Sequence, residues 1–213
     1  MNFFWGLGVL LTNCSLMVDD PNQDWLKKTG TLGGPYIRRR INLPVDHLSH
    51  IAVIPLDLEA IQAASLDVRL GNWFVTARQT RLRSIHLDKE SDERLLKTIG
   101  KEEFFIPTGK SFLIHPGHLV LGCTLEFIAL PADIAVSVEG RSGPGRKGLT
   151  VATATQIAPG FHGVVVLELA NTGTVPLELE PGMSVGQLIF QTLAEPIPPD
   201  QVYHGKYHCQ IKP

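Results

Sequence analysis

A chain of 213 residues is long enough for one domain, or for one domain with an extension. Hydrophobic residues make up 44% of it and charged residues 19%, which excludes global disorder and permits a full core. The net charge of −2 leaves no basic footprint for a nucleic-acid surface, so any anion has to be held by a local cluster. Cys14, Cys123 and Cys209 are far apart and in no metal-ligand spacing, and they read as free thiols in a reducing compartment.

The first residues, Phe3 to Leu11, are apolar and end near Cys14, in the manner of a short export signal. They lack the Lys or Arg that precedes such a core and are too short to span a bilayer, so a packed or upstream-translated N-terminal segment, a cytoplasmic location and no membrane partner are expected. Residues 1–48 read as an extension of uncertain structure, with a Gly-rich turn at Gly30 to Pro35 and the basic run Arg38-Arg39-Arg40. Such a run is more often solvated or paired with acidic neighbours than a phosphate site.

From Ile51 onward the pattern is that of strands, in a domain over residues 49–213. Ser65 to Gly71 alternates polar and apolar residues as a half-buried strand does. Asp88 to Gly100 is charged and fits a short surface helix or a loop. Further strands are expected at 103–106, 111–115, 119–125, 134–138, 149–154, 163–169, 175–179 and 185–191. Pro107-Thr-Gly109, Pro116-Gly117, Pro131-Ala-Asp133 and Pro181-Gly182 punctuate them. Many short strands between Gly/Pro turns argue for an all-β sandwich or barrel, and neither G-x-G-x-x-G nor a Walker A sequence is present. The polar end from about residue 196 reads as an arm, of the kind often disordered until something binds it.

Three constellations carry chemistry. His115 and His118 flank Pro116-Gly117, and the turn explains their spacing better than a metal does; His204 and His208 likewise read as exposed side chains and not as ligands. The turn from Arg141 to Gly148 combines two arginines, a serine and three glycines, which suits an anion, because arginine forks and close backbone N–H groups bind phosphate oxygens. Glu168 is a lone carboxylate in the apolar run Val164 to Leu169, either salt-bridged to a guanidinium such as Arg141 or Arg146 or serving as a general base.

Asp67-Val-Arg-Leu-Gly-Asn72, His115-Pro-Gly117, Gly140-Arg-Ser142 with Arg146 and Gly148-Leu149, Thr153-Ala154, Pro159-Gly160, Leu167-Glu168, Asn171, Pro181-Gly-Met183 and Gly205-Lys-Tyr207 with Gln210 stand in order along the chain. Together they strongly resemble the dCTP deaminases of the trimeric dUTPase-like family, over roughly residues 60–210. The resemblance implies an all-β, distorted β-barrel of the dUTPase-like β-clip type, assembled as a homotrimer with active sites at subunit interfaces. It implies conversion of dCTP to dUTP and ammonia, with Mg²⁺ accompanying the triphosphate, no protein-bound zinc, and dTTP as a candidate inhibitor. The absence of the H-x-E…P-C-x-x-C signature of zinc deaminases agrees with that. By the same resemblance Glu168 activates the attacking water and shuttles its proton. Ser142 and Arg146 fix the water, the glutamate and the exocyclic amine, and the backbone carbonyl of Ala154 helps hold water near the base. Arg141, Ser142 and the turn amides, at Gly143 and Gly145 among others, face the phosphates from the same or a neighbouring subunit. Val166 and Leu167 belong to the substrate-binding strand. Lys206 and Gln210 close over triphosphate and base, with Tyr203 or Tyr207 as the tail tyrosine.

Two departures stand out. Gly143-Pro144-Gly145 replaces a serine and an alanine of the usual turn, and proline removes one N–H donor. Ala158 occupies the hairpin position at which the family carries an aspartate that reads the sugar 3′-hydroxyl and, in dUTPases and bifunctional relatives, also organises the water attacking the α-phosphate. The alanine argues for deamination over dUTP or dCTP diphosphohydrolysis. It also leaves a third reading, a nucleotide-binding regulator with weak catalysis.

Overall fold

The computed structural model describes residues 29–77, 100–152, 156–205 and 208–213. The expectations for Cys14, the apolar start and the charged segment from Asp88 to Ile99 lie outside them. Twelve strands are found among the described residues: β1 (Gly30–Thr31), β2 (Ala52–Ile54), β3 (Leu66–Arg69), β4 (Trp73–Ala77), β5 (Lys101–Phe105), β6 (Phe112–Ile114), β7 (Leu119–Ala129), β8 (Ile134–Gly140), β9 (Leu149–Ala152), β10 (His162–Asn171), β11 (Leu177–Leu179) and β12 (Ser184–Thr192). Helix α1 (Gly34–Ile41) precedes β2, and the single helical turn α2 (Ser142–Arg146) joins β8 to β9. No described helix is long and apolar enough to cross a membrane.

The ladders form three sheets. One runs β1-β12-β3 with β8 also on β12, the second runs β5-β4-β7-β10-β9 with β2 on β7, and β6 pairs with β11. The all-β expectation therefore holds; the barrel is distorted to the point that no ladder among the described residues closes it. Alternation does what the sequence promises in β3, where Leu66 and Val68 are buried and Asp67 and Arg69 face outward. The inward residues of β3, β7, β10 and β12 meet in one core that includes Leu66, Ile128, Leu167, Leu169, Leu188 and Phe190.

Residues 30–41, part of the expected extension, are built into this core. β1 pairs with β12, and Leu32 and Ile37 are buried. The helix escapes a strand-minded reading because it opens on Gly-Pro. Proline is in fact suited to a first helical turn, where its missing N–H has no partner to lose. Gly34 is required there: an added Cβ would stand 2.3 Å from the Gln62 carbonyl oxygen. The basic run resolves into three different structural roles. Arg38 donates to the Leu58 carbonyl, Arg39 lies over the Tyr36 ring, and Arg40 is buried in an ion pair with Asp133 at 2.8 Å.

The two large sheets are latched at a bulge. Between Val164 and Val166 the β10–β7 register shifts, and the Thr124 hydroxyl accepts from Val165 N–H and donates to the Glu126 carbonyl. Leu70 bridges Thr124, and the buried Glu126 carboxylate accepts from both Nε and the backbone N–H of Arg69, at 2.7 and 2.9 Å.

The arm is docked in its described residues. Tyr203 N–H donates to Pro159 O, and Val164 N–H to Gln210 O; Lys212 pairs with Glu103 and covers the Trp73 ring. Hydrogen bonds from Lys101 and Lys212 hold the Glu103 carboxyl down to about 2. This contrasts with the disorder expected of a free arm, and the reason is the number of backbone bonds it makes to the body. Tyr203, moreover, packs against the core beside Phe161, with ring centroids 5.9 Å apart.

Burial raises the Cys123 thiol to about 11, whereas Cys209 is exposed. Iodoacetamide at neutral pH is therefore expected to label Cys209 and leave Cys123 untouched until the chain is unfolded, because the thiolate is the nucleophile. Peptide mass mapping with and without denaturant checks this; early labelling of Cys123 would contradict the packing of β7.

Candidate active site

The anion-suited turn after β8 is helical. Residues Ser142 to Arg146 form the single turn α2, with Gly145 N–H donating to Arg141 O. Pro144 fits because it lies in the first turn, where no N–H is needed, and Gly148 at φ +98° ends the turn. The cost is one fewer amide for a ligand, as expected from the sequence. Arg141, Ser142, Gly143, Gly145 and Arg146 are all exposed.

Arg141 closes one side of an open cavity of about 300 Å³ lined by Gln62, Asp67, Arg141, Ser142 and Gln187. Its Nη1 lies 3.0 Å from Asp67 Oδ2 and also donates to the Ser184 hydroxyl. Register assembles this group from distant segments: Gln187 stands opposite Asp67 on β3 and opposite Glu139 on β8. Ser65 adds a hydrogen bond of 2.9 Å to Gln187 Oε1. Sequence reasoning does not reach Asp67 and Gln187 as site residues. The only local signal is Asp67 at the head of its motif.

Glu168 lies on β10 in register with Ala152 of β9 and Leu121 of β7. The expected ion pair with Arg141 or Arg146 is not made within the described residues of this chain. Strand alternation is the reason: Leu167 and Leu169 point into the core, so Glu168 points to the opposite face, where it is exposed. Among the described residues the buried, paired carboxylate is Glu126 instead. Leu167 is fully buried, so its side chain belongs to the core, while Val166 is half-buried on the Glu168 face.

Ala158 sits half-buried in the β9–β10 hairpin, its carbonyl accepting from Phe161 N–H at 3.2 Å. The arm lies across this hairpin and the start of β10. Gln210 pairs with Gly163, and its Nε2 donates to Val164 O at 3.1 Å. Gly163, at φ +149°, lets the arm approach, since an added Cβ would stand 3.2 Å from Gln210 O. Gln210 and Tyr203 are thus both brought to β10 and its hairpin. Ala154, Lys206 and Tyr207 lie outside the described residues. His115 and His118 are exposed around a turn closed by His118 N–H to His115 O, as their spacing suggested.

One group has no signature in the sequence at all. His162, His208 and Cys209 present one donor atom each within 4.8 Å of one another, the two imidazoles stacked at 5.0 Å between centroids. Burial, aided by the charge of His208, holds the His162 imidazole below the ordinary histidine range. Against the expectation of an exposed side chain, His208 is half-buried, because the arm folds back.

The family model described as dCTP deaminase-like matches residues 32–193. A dCTP deaminase of Halorubrum lacusprofundi is 42% identical over 151 residues, covering 68% of this chain and 71% of that protein. A dUMP-forming dCTP deaminase of Corynebacterium kroppenstedtii is 39% identical over 148 residues, covering 69% of this chain and 76% of that protein. The crystal structure of a 2′-deoxycytidine 5′-triphosphate deaminase from Agrobacterium tumefaciens shares the fold, with a TM-score of 0.56 at 23% identity over 77% of this chain. This chain spans about half of that one (48%). With the family match running from Leu32 on the way into α1 to the end of β12, the chain belongs to the dCTP deaminase-like family.

Proposed function

We propose that the chain deaminates dCTP, as its Mg²⁺ complex, to dUTP and ammonia. The observation that carries this reading is Glu168: a carboxylate on the open face of a strand whose other face is core, engaged in no described ion pair. There it is free to take a proton from water as the oxygen attacks cytosine C4. It then delivers that proton to ring N3, and the amine leaves as ammonia; overall dCTP and water give dUTP and NH₃. General-base help of this kind contributes roughly 10²–10⁴-fold.

Ser142 and Arg146 hold the water and the leaving amine in this reading, and the Ala154 carbonyl supports the water. Arg141, already polarised against Asp67, faces the phosphates. Because neither arginine reaches Glu168 within the chain, the complete site is made between subunits of a homotrimer, with α2 of one facing β10 of the next. Exposed Leu113, Leu119 and Val175 give such an assembly apolar surface to bury. Mg²⁺ rides on the triphosphate oxygens and water. The sole described trio of donors close enough to share an ion is the His–His–Cys group at the arm. Zinc-free deamination follows from the missing zinc-deaminase signature, and a cytoplasmic setting follows from the nucleotide substrate.

The dUMP-forming relative raises a second reading, in which diphosphate is also released. Ala158 weighs against it, since a methyl cannot orient the water that attacks the α-phosphate. Incubation with dCTP and Mg²⁺ followed by anion-exchange separation distinguishes the two. The expected result is dUTP with equimolar ammonia; dUMP with pyrophosphate would favour the second reading, and unchanged dCTP with calorimetric binding would make the protein a nucleotide binder. Restoring the carboxylate tests the sugar contact. Ala158→Asp should lower KM for dCTP by the equivalent of about 1–3 kcal/mol, roughly five- to 150-fold. An unchanged KM would mean that another group of the hairpin reads the sugar.

A further inference from the structure

The His162, His208 and Cys209 group adjoins Gln210 and Tyr203 of the arm but includes none of the residues assigned above to the chemistry. It joins the first residue of β10 to two consecutive residues of the arm. Backbone bonds fix its frame: Cys209 N–H donates to His162 O at 2.7 Å, and one residue on, Val164 N–H donates to Gln210 O at 3.0 Å. Cys209 holds φ at +59°, a left-handed conformation uncommon outside glycine. That turn leaves the thiol exposed yet beside both imidazoles. His208 Nδ1 is shielded from solvent and has no hydrogen-bond partner among the described residues. A buried nitrogen in that condition has lost water and gained nothing, unless a ligand fills the space.

We propose that His162, His208 and Cys209 bind a thiophilic divalent cation of the Zn²⁺ class, which fastens the C-terminal arm to β10. Two imidazoles and a thiolate are a zinc donor set, and oxygen-seeking Mg²⁺ has no preference for it. A tetrahedral zinc with Zn–N of about 2.0 Å and Zn–S of about 2.3 Å sets its ligand atoms roughly 3.3–3.5 Å apart. The donors, already within 4.8 Å, need only a small closing movement, which the exposed Cys209 side chain can supply. Binding forms two N–metal bonds and one S–metal bond, and the Cys209 thiol proton goes to solvent. Water takes the fourth position. The site is a staple and has no part in the deamination step. Gln210, next to Cys209, is held to Val164 by the same fastening, so the metal governs how readily the arm opens.

The test uses the untagged, metal-stripped full chain titrated with Co²⁺. One equivalent per chain should give tetrahedral d–d bands and a thiolate-to-cobalt charge-transfer band, both displaced by Zn²⁺. Cys209→Ser, at an exposed position that leaves the fold intact, should abolish the charge-transfer band, and His162→Gln should remove tetrahedral binding. Zn²⁺ should also protect Cys209 from iodoacetamide and slow proteolysis of the arm. Absence of the band, or its persistence in Cys209→Ser, overturns the ligand set. Tight binding with unchanged proteolysis overturns the staple. Neither readout depends on turnover of dCTP.

Discussion

Glu168→Gln is expected to bind dCTP within a few-fold of the parent protein and to deaminate it about 10²–10⁴-fold more slowly. The amide keeps the length and one acceptor of the carboxylate but cannot take the proton of the attacking water. The fold should not change. Glu168 stands on the exposed side of β10, while Leu167 and Leu169 carry that strand's share of the core, so the stability cost should stay within roughly 0.5 kcal/mol. Calorimetric titration with dCTP, a melting curve and ammonia release together decide the matter. Parent-like rates would remove Glu168 from the chemistry. Loss of binding alongside turnover would make it a substrate anchor and not a base.

The feature that makes Glu168 conspicuous in the sequence also misleads. A lone carboxylate in an apolar run suggests burial and a guanidinium partner, yet period-two alternation turns every second residue of β10 outward. The half-buried Val166 and Ala170 on the same side show why the run looks uniformly apolar. Strands β3, β7, β10 and β12 are legible because one face of each is core and the turns between them carry Gly or Pro. Trp73 to Ala77 has the aromatic and β-branched signature of a strand and follows the turn pair Gly71-Asn72, so it is equally open to that reading. The cavity beside Arg141 is illegible for another reason. Asp67 and Gln187 are 120 residues apart in sequence and meet only through the register of β3 on β12. The arm's histidine and cysteine likewise acquire a partner, His162, only after the chain folds back.

Arg69→Leu should be among the most damaging single changes outside the active site, costing about 3–5 kcal/mol, the range for a buried ion pair that loses one partner. The two partners are unequally buried. Glu126 is 4% exposed and Arg69 31%, so removing the arginine strands a carboxylate inside the protein, while removing the glutamate leaves a guanidinium that reaches water. The substituted leucine would still offer its backbone N–H to Glu126, which keeps the penalty toward the lower end. Glu126→Gln retains an acceptor for that N–H and should cost only about 1–2 kcal/mol. For a domain of this size the larger cost corresponds to a fall in Tm of roughly 6–20 °C. Urea unfolding of both variants at neutral pH measures this. Equal costs for the two substitutions would mean that the contact between the β3 and β7 sheets is held by the Leu70–Thr124 bridge and its surroundings, with the ion pair adding little.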